Sequence, residues 1–207
     1  MTKALYSNRA RKSGLQLVAA ARNGDIKAVE SLLEGEVYIH AQEEDGVCAL
    51  IAAAYRNDLE IADLVISAGA DVNMKDDSLQ SAYLIATSEG YTELLKKTID
   101  AGADVHATDS DNGTGLIRAA ERGHIDIVKE LLKTDIRVNH INRLGLTALL
   151  EAIIFGDGGR AHTEIVRLLT DAGADADLAD KEGITPLAHA KNKGHADIVR
   201  ILESSFK

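Results

Sequence analysis

The sequence predicts an all-α fold, a linear array of stacked helix–turn–helix units. The chain of 207 residues is 45% hydrophobic but only 3% aromatic, with no Trp, one Pro and 17 Gly. Its apolar content is therefore Ala, Leu, Ile and Val, which suits many thin layers better than one large aromatic core. The same order of small, apolar and turn residues also returns at a period of 33. A fixed period of this length marks a repeat architecture, in which each unit buries its apolar face only against its neighbours.

Three segments set the register: GVCALIAAAYRNDLEIADLVISAGADVN from Gly46, LQSAYLIATSEGYTELLKKTIDAGADVH from Leu79 and NGTGLIRAAERGHIDIVKELLKTDIRVN from Asn112. Extending it both ways gives one domain of six repeats, 13–45, 46–78, 79–111, 112–144, 145–182 and 183–207, after a basic N-terminal tail, 1–12. The fifth repeat carries a five-residue insertion and the sixth is short.

Each position in the repeat has a physical role. Thr185 is a good N-cap, and Pro186 suits the first helical position, where no amide hydrogen is needed. Small pairs follow: Ala20-Ala21, Ala53-Ala54, Ala86-Thr87, Ala119-Ala120 and, less small, Ala152-Ile153. They let neighbouring helices approach closely. Gly24, Asn57, Gly90, Gly123 and Gly194 stop the first helix, being residues that tolerate positive φ. The second helix shows a buried stripe at helical spacing: Ile61, Val65 and Ile66 in one repeat, Ile127, Val128, Leu131 and Leu132 in another. Gly69, Gly102 and Gly173 end it. GADVN, GADVH and GADAD then form a short, β-like turn into the next repeat.

GITPLAHA, GHIDIVKELL and GADVN together resemble the ankyrin repeat, over residues 13–207. The resemblance implies a curved solenoid whose partner-binding face is concave, built from turn tips and the outer surfaces of first helices. It also implies that His124, His162 and His195, which share one repeat position, bond backbone between repeats. The chain departs from the family pattern in part. The Thr-Pro step is complete only at Thr185-Pro186, and the His that follows Leu in the family is replaced by Ile51, Leu84, Ile117, Leu150 and Ala188.

The residues that carry chemistry elsewhere find no such role here. His40, His106 and His140 fall at or beside the Asn of GADVN, where turn bonding explains them. No Cys/His cluster has zinc spacing. Cys48 replaces a helix-start Thr and reads as a small packed residue. The segment from Asp109 fails as a calcium loop, with Gly113, Thr114 and Ala120 where ligands or the loop glycine are needed. GDGGR at 156–160 lacks the phosphate-loop pattern and any preceding strand; it is the insertion, between the two helices of its repeat. The expectation is no enzyme, no cofactor, no metal and no catalytic residue.

What remains is a binding surface. The ends of the first helices and the turn tips place Arg22, Tyr55, Arg56, Asp77, Glu89, Asp111, Glu121, Arg122, Arg143, Leu144 and Phe155 outward. On the sequence alone, no folding role requires Tyr55, Leu144 or Phe155 there, and exposed aromatics and Arg are enriched at binding hot spots. The net charge of −10 opposes nucleic-acid and anionic-membrane binding. Lys3, Arg9, Arg11 and Lys12 give the tail four cations and no acid, leaving the rest of the chain still more acidic. The expected partner is a protein, basic or mixed in charge, held by a monomer. No apolar stretch reaches the roughly 18 residues of a membrane span. With no secretion signal in 1–14 and one Cys, which excludes an intrachain disulfide, the expectation is a cytoplasmic adaptor. An inhibitor or immunity-type partner of an enzyme or toxin is the alternative. Less favoured are an enzyme using residues 156–162 and a self-assembling scaffold.

Overall fold

The computed structural model describes residues 7–205. These residues form twelve α-helices in six consecutive pairs, with two isolated β-bridges, Gln42–Cys48 and Thr108–Thr114, in the turns. The pairs are α1 (Asn8–Asn23) with α2 (Ile26–Leu33), α3 (Ala49–Arg56) with α4 (Leu59–Ser67), and α5 (Ala82–Glu89) with α6 (Thr92–Asp100). Then come α7 (Gly115–Arg122) with α8 (Ile125–Leu131), α9 (Ala148–Ile154) with α10 (Arg160–Asp171), and α11 (Pro186–Lys193) with α12 (Ala196–Ser205).

The helix boundaries follow local chemistry. Asn57 ends α3 in the left-handed region, at φ 53, and its N–H bonds the Ala54 carbonyl at 3.0 Å. Asp58 then accepts the Ile61 N–H, so the next helix starts one residue later. Thr185 accepts the Ala188 N–H ahead of Pro186, and Thr147 accepts that of Leu150. Cys48 and Thr114 hold the same place without a side-chain cap. At the N-terminus Ser7 caps α1, which begins at Asn8, within the stretch 1–12 read as a tail. Arg9, Arg11 and Lys12 therefore lie on the opening turns of a helix, while Lys3 is outside the described residues.

The chain divides into two compact blocks. The first runs to Ala86 and includes Glu93–Asp104; the second takes Thr87–Thr92 and everything from Val105 onward. In the first block α1 packs on α2 and α3, and α4 packs on α2 and α3. Ala21, Ala53 and Ala54 are fully buried where these helices meet. In the second block α9 lies between α7 and α11, and α10 between α8 and α12. Ala119, Ala120, Ala152 and Ala190 line the first layer; Ile127, Val128, Leu131, Ile165, Val166 and Leu169 fill the second. Ile66 and Leu132 are only half-buried, since both lie at the C-terminal edge of their helices.

The insertion becomes a tight loop plus an extra turn at the start of α10. That helix has 12 residues, against 7 in α8. Gly156 is buried, and a Cβ there would lie 2.1 Å from the Ala152 carbonyl oxygen. Asp157 accepts the Gly159 N–H at 2.8 Å and His162 Nδ1 at 3.0 Å.

Candidate partner-binding surface

The turns that carry the candidate residues are each organised by one side chain. Oδ1 of Asp76 accepts the N–H groups of Ser78 and Gln80; Asp109 does the same for Asp111 and Gly113. Asn142 serves Leu144 and Leu146, and Asp180 serves Glu182 and Ile184. The remaining oxygen or nitrogen of each needs a partner too, because an unpaired buried polar group is costly. In the second block that partner stands nine residues on, in the following first helix. Arg118 Nε reaches Asp109 Oδ2 at 2.5 Å, Asn142 Nδ2 donates to Glu151 Oε1 at 2.7 Å, and His189 Nε2 bonds Asp180 Oδ2 at 2.6 Å. For Asp76 that place is Ile85, whose side chain has no donor. The Tyr55 hydroxyl bonds Asp76 Oδ2 instead, at 2.7 Å, from the preceding first helix. Arg22 makes the equivalent reach to Glu43 and Asp45, at 2.6 and 2.5 Å.

These contacts set the charge states. The Val47 N–H and the Arg22 guanidinium hold Asp45 below the usual carboxylate range. The Ile184 N–H and His189 do so for Asp180. Burial opposes ionisation of Asp109, but Arg118 and the Gly113 N–H outweigh it and hold it low. Glu151 is the exception. It is 1% exposed, and burial pushes it up to about 7, reinforced by Glu121 and only partly countered by the Asn142 amide.

The eleven expected surface residues divide by what they touch. In the first block Tyr55 is 49% exposed, yet its hydroxyl holds Asp76, so the fold does use it. This corrects the expectation that no folding role requires an aromatic there. Arg56 donates to the Arg22 carbonyl at 3.3 Å, and the Asp77 N–H bonds the Asp45 carbonyl at 3.0 Å, which sets the two turn tips side by side. In the second block Arg122 takes the same role as Arg56, bonding the Ser88 carbonyl at 2.8 Å and Glu89 at 2.9 Å. Arg118 bonds Asp111 and Glu121. The Arg143 N–H bonds the Asp111 carbonyl at 2.8 Å. Leu144 and Phe155 stay 57% and 56% exposed, and Phe155 occupies the helix-end position where Arg56 and Arg122 bond a carbonyl.

With this geometry in hand, comparison with known proteins is direct. The model of the family "Ankyrin repeats (3 copies)" matches residues 3–76 and 82–178. The chain belongs to the ankyrin-repeat family. The crystal structure of an ankyrin repeat domain from Acinetobacter baumannii is similar to it with a TM-score of 0.90 and 45% identity, covering 92% of this chain and 97% of that one. The crystal structure of another ankyrin repeat protein gives 0.88 and 35%, with coverage of 92% and 97%. A putative ankyrin repeat protein of Escherichia coli, YahD, is 46% identical over 72 residues, 35% of this chain; the match spans 36% of that relative's length.

Ankyrin repeats are generally protein–protein interaction modules, and His124 and His162 behave as the resemblance implies. His124 Nε2 bonds the Ser88 carbonyl at 3.0 Å and His162 Nε2 that of Glu121 at 3.1 Å, each tying one repeat to the one before. His195 departs: the insertion places Gly158 against its ring, and Nδ1 is buried without a partner. His140 Nε2 bonds the Asn112 carbonyl at 2.8 Å, joining the turn after α8 to the turn before α7. Cys48 is buried, and burial pushes its thiol pKa up. Among the described residues no group of three or more His, Cys, Asp or Glu could hold a metal ion, and no helix is long and apolar enough to cross a membrane. Sequence reasoning missed Glu151 and Arg118. The usable signal was their shared place nine residues after each turn Asx.

Proposed function

We propose that this ankyrin-repeat chain is a non-catalytic adaptor of the cytoplasm. In this reading it holds a protein partner on the face formed by its turn tips and the ends of its first helices, the face expected to be concave. The observation that carries it is Phe155. At this repeat position Arg56 and Arg122 are engaged within the chain, whereas Phe155 is a large apolar side chain left 56% exposed. Leu144, at a turn tip of the same block, is 57% exposed. Large rigid anchors of this kind bind at low ordering cost. A basic or mixed-charge partner fits the net charge of −10.

The test is affinity capture with the whole chain as bait, followed by identification of the captured protein and titration against variants. Phe155→Ala and Leu144→Ala are the informative changes, because both side chains are more than half exposed. Tyr55→Ala and Arg56→Ala disturb intrachain bonds as well as the surface. We expect the Phe155→Ala, Leu144→Ala double variant to lose roughly thirtyfold in affinity, as a hot-spot pair does. Binding that survives the double variant unchanged places the partner elsewhere and sinks the reading.

A further inference from the structure

A second feature of the first block says more about the partner. Beside α1 lies a groove of about 520 Å³ lined by Leu15, Gln42, Glu43, Glu44 and Asp45. Leu15 is its apolar wall and stays 46% exposed. The opposite wall is a turn locked by its own hydrogen bonds. Gln42 Nε2 donates to the carbonyls of Gly46 and Lys75, at 2.5 and 3.1 Å, and Asp45 Oδ1 accepts the Val47 N–H at 3.1 Å. Arg22 spans Glu43 and Asp45, so one cation stands against three acids on this rim. Glu44 is exposed and forms no ion pair with another described residue, and Asp77 sits beside Asp45 through the backbone bond between their turns. On the α1 side, Arg11 and Lys12 lie about one helical turn before Leu15 and outside the lining. Both lie on the Leu15 side of α1, so a uniformly basic ligand is repelled there more than one carrying only one or two cations.

We infer that this groove is a peptide-docking subsite for a partner segment that carries one apolar anchor beside one or two Arg or Lys residues. The anchor packs on Leu15 and the cations face Glu44 and Asp45. The pre-set turn means that docking orders little of the protein, so the charge pairs contribute to affinity and to steering. The inference rests on the reading of the chain as a protein-binding module, and goes beyond it by naming the ligand chemistry.

The experiment pans a phage-displayed library of random dodecapeptides on the whole chain. The enriched peptides are then titrated, as fluorescent conjugates, against wild type, Leu15→Ser, Glu44→Lys and the Phe155→Ala, Leu144→Ala double variant. Both groove positions are exposed, and thermal unfolding verifies the fold; Glu44→Gln gives the same readout with a gentler change. The expected result is enrichment of an apolar residue flanked by Arg or Lys. Affinity should fall about tenfold or more in Leu15→Ser and in Glu44→Lys, and should weaken as salt is raised. Enriched peptides that are acidic, or that ignore both groove variants, overturn the subsite. If those peptides are instead lost in the Phe155→Ala, Leu144→Ala variant, the subsite falls while the module reading stands. A library that enriches nothing overturns both.

Discussion

Replacing Glu151 by Gln should make the protein more stable at alkaline pH and remove a pH dependence that the wild type shows. Glu151 is 1% exposed and accepts a hydrogen bond from Asn142 Nδ2 at 2.7 Å. Burial raises its pKa from 4.5 to about 7. The folded pKa lies above the unfolded one, so between these values the folded state binds more protons, and stability falls as pH rises. At 1.36 kcal/mol per unit, the shift corresponds to roughly 3 kcal/mol of lost stability once the group is fully ionised. Integrated between about pH 5 and pH 8, the loss is on the order of 2 kcal/mol. Gln keeps the shape and the acceptor for Asn142 but has no charge to desolvate. Urea unfolding followed by circular dichroism, at pH 5 to 8 for both proteins, reads the difference directly. Glu151→Gln should approach wild type at the acid end and exceed it by about 2 kcal/mol at the alkaline end. Parallel curves for the two proteins, or a less stable variant at pH 8, would refute the argument.

Other substitutions test other contacts. Leu79 adopts φ 61 at a turn place that is Gly46, Gly145 and Gly183 elsewhere, so Leu79→Gly should raise stability by about 1 kcal/mol, seen as a higher urea midpoint. Gly156→Ala should cost about 2 kcal/mol or more in the same assay, because its Cβ would meet the Ala152 carbonyl oxygen at 2.1 Å. Gly183→Ala, at φ 77 with nothing within 4 Å of a new Cβ, should cost only about 1 kcal/mol, which separates packing from backbone conformation. Tyr55→Phe should lose about 1 to 2 kcal/mol by leaving Asp76, 6% exposed, short of a donor; an unchanged melting curve would show that solvent replaces the hydroxyl. The buried Cys48 thiol should react with a thiol reagent only as fast as the chain opens, and hence at the full rate in urea.

The features legible in the sequence were those written in short-range chemistry. Asn57 and the Thr185-Pro186 step act on backbone groups within a few residues of themselves, so their positions alone placed helix ends. The stripe Ile127, Val128 and Leu131 is a helical period, and the repeat of 33 forced each such face onto its neighbour. Fold and family followed from these. Which surface residues were free did not follow, because that depends on side-chain partners far apart in sequence. Tyr55 looked unemployed until Asp76, with Ile85 where its relatives have Arg118 or His189, was seen to take its hydroxyl. Glu151 carried no local signal; its place beside Asn142 puts it in the core. The insertion was legible only as extra residues between two helices, but Gly156 and Gly158 are required by the rings of His162 and His195 packed against them. The sequence by itself determined the repeat and its helices, since caps and periodicity are local. Only the tertiary structure decided which polar groups pair across repeats, and thereby which side chains are left over for a partner.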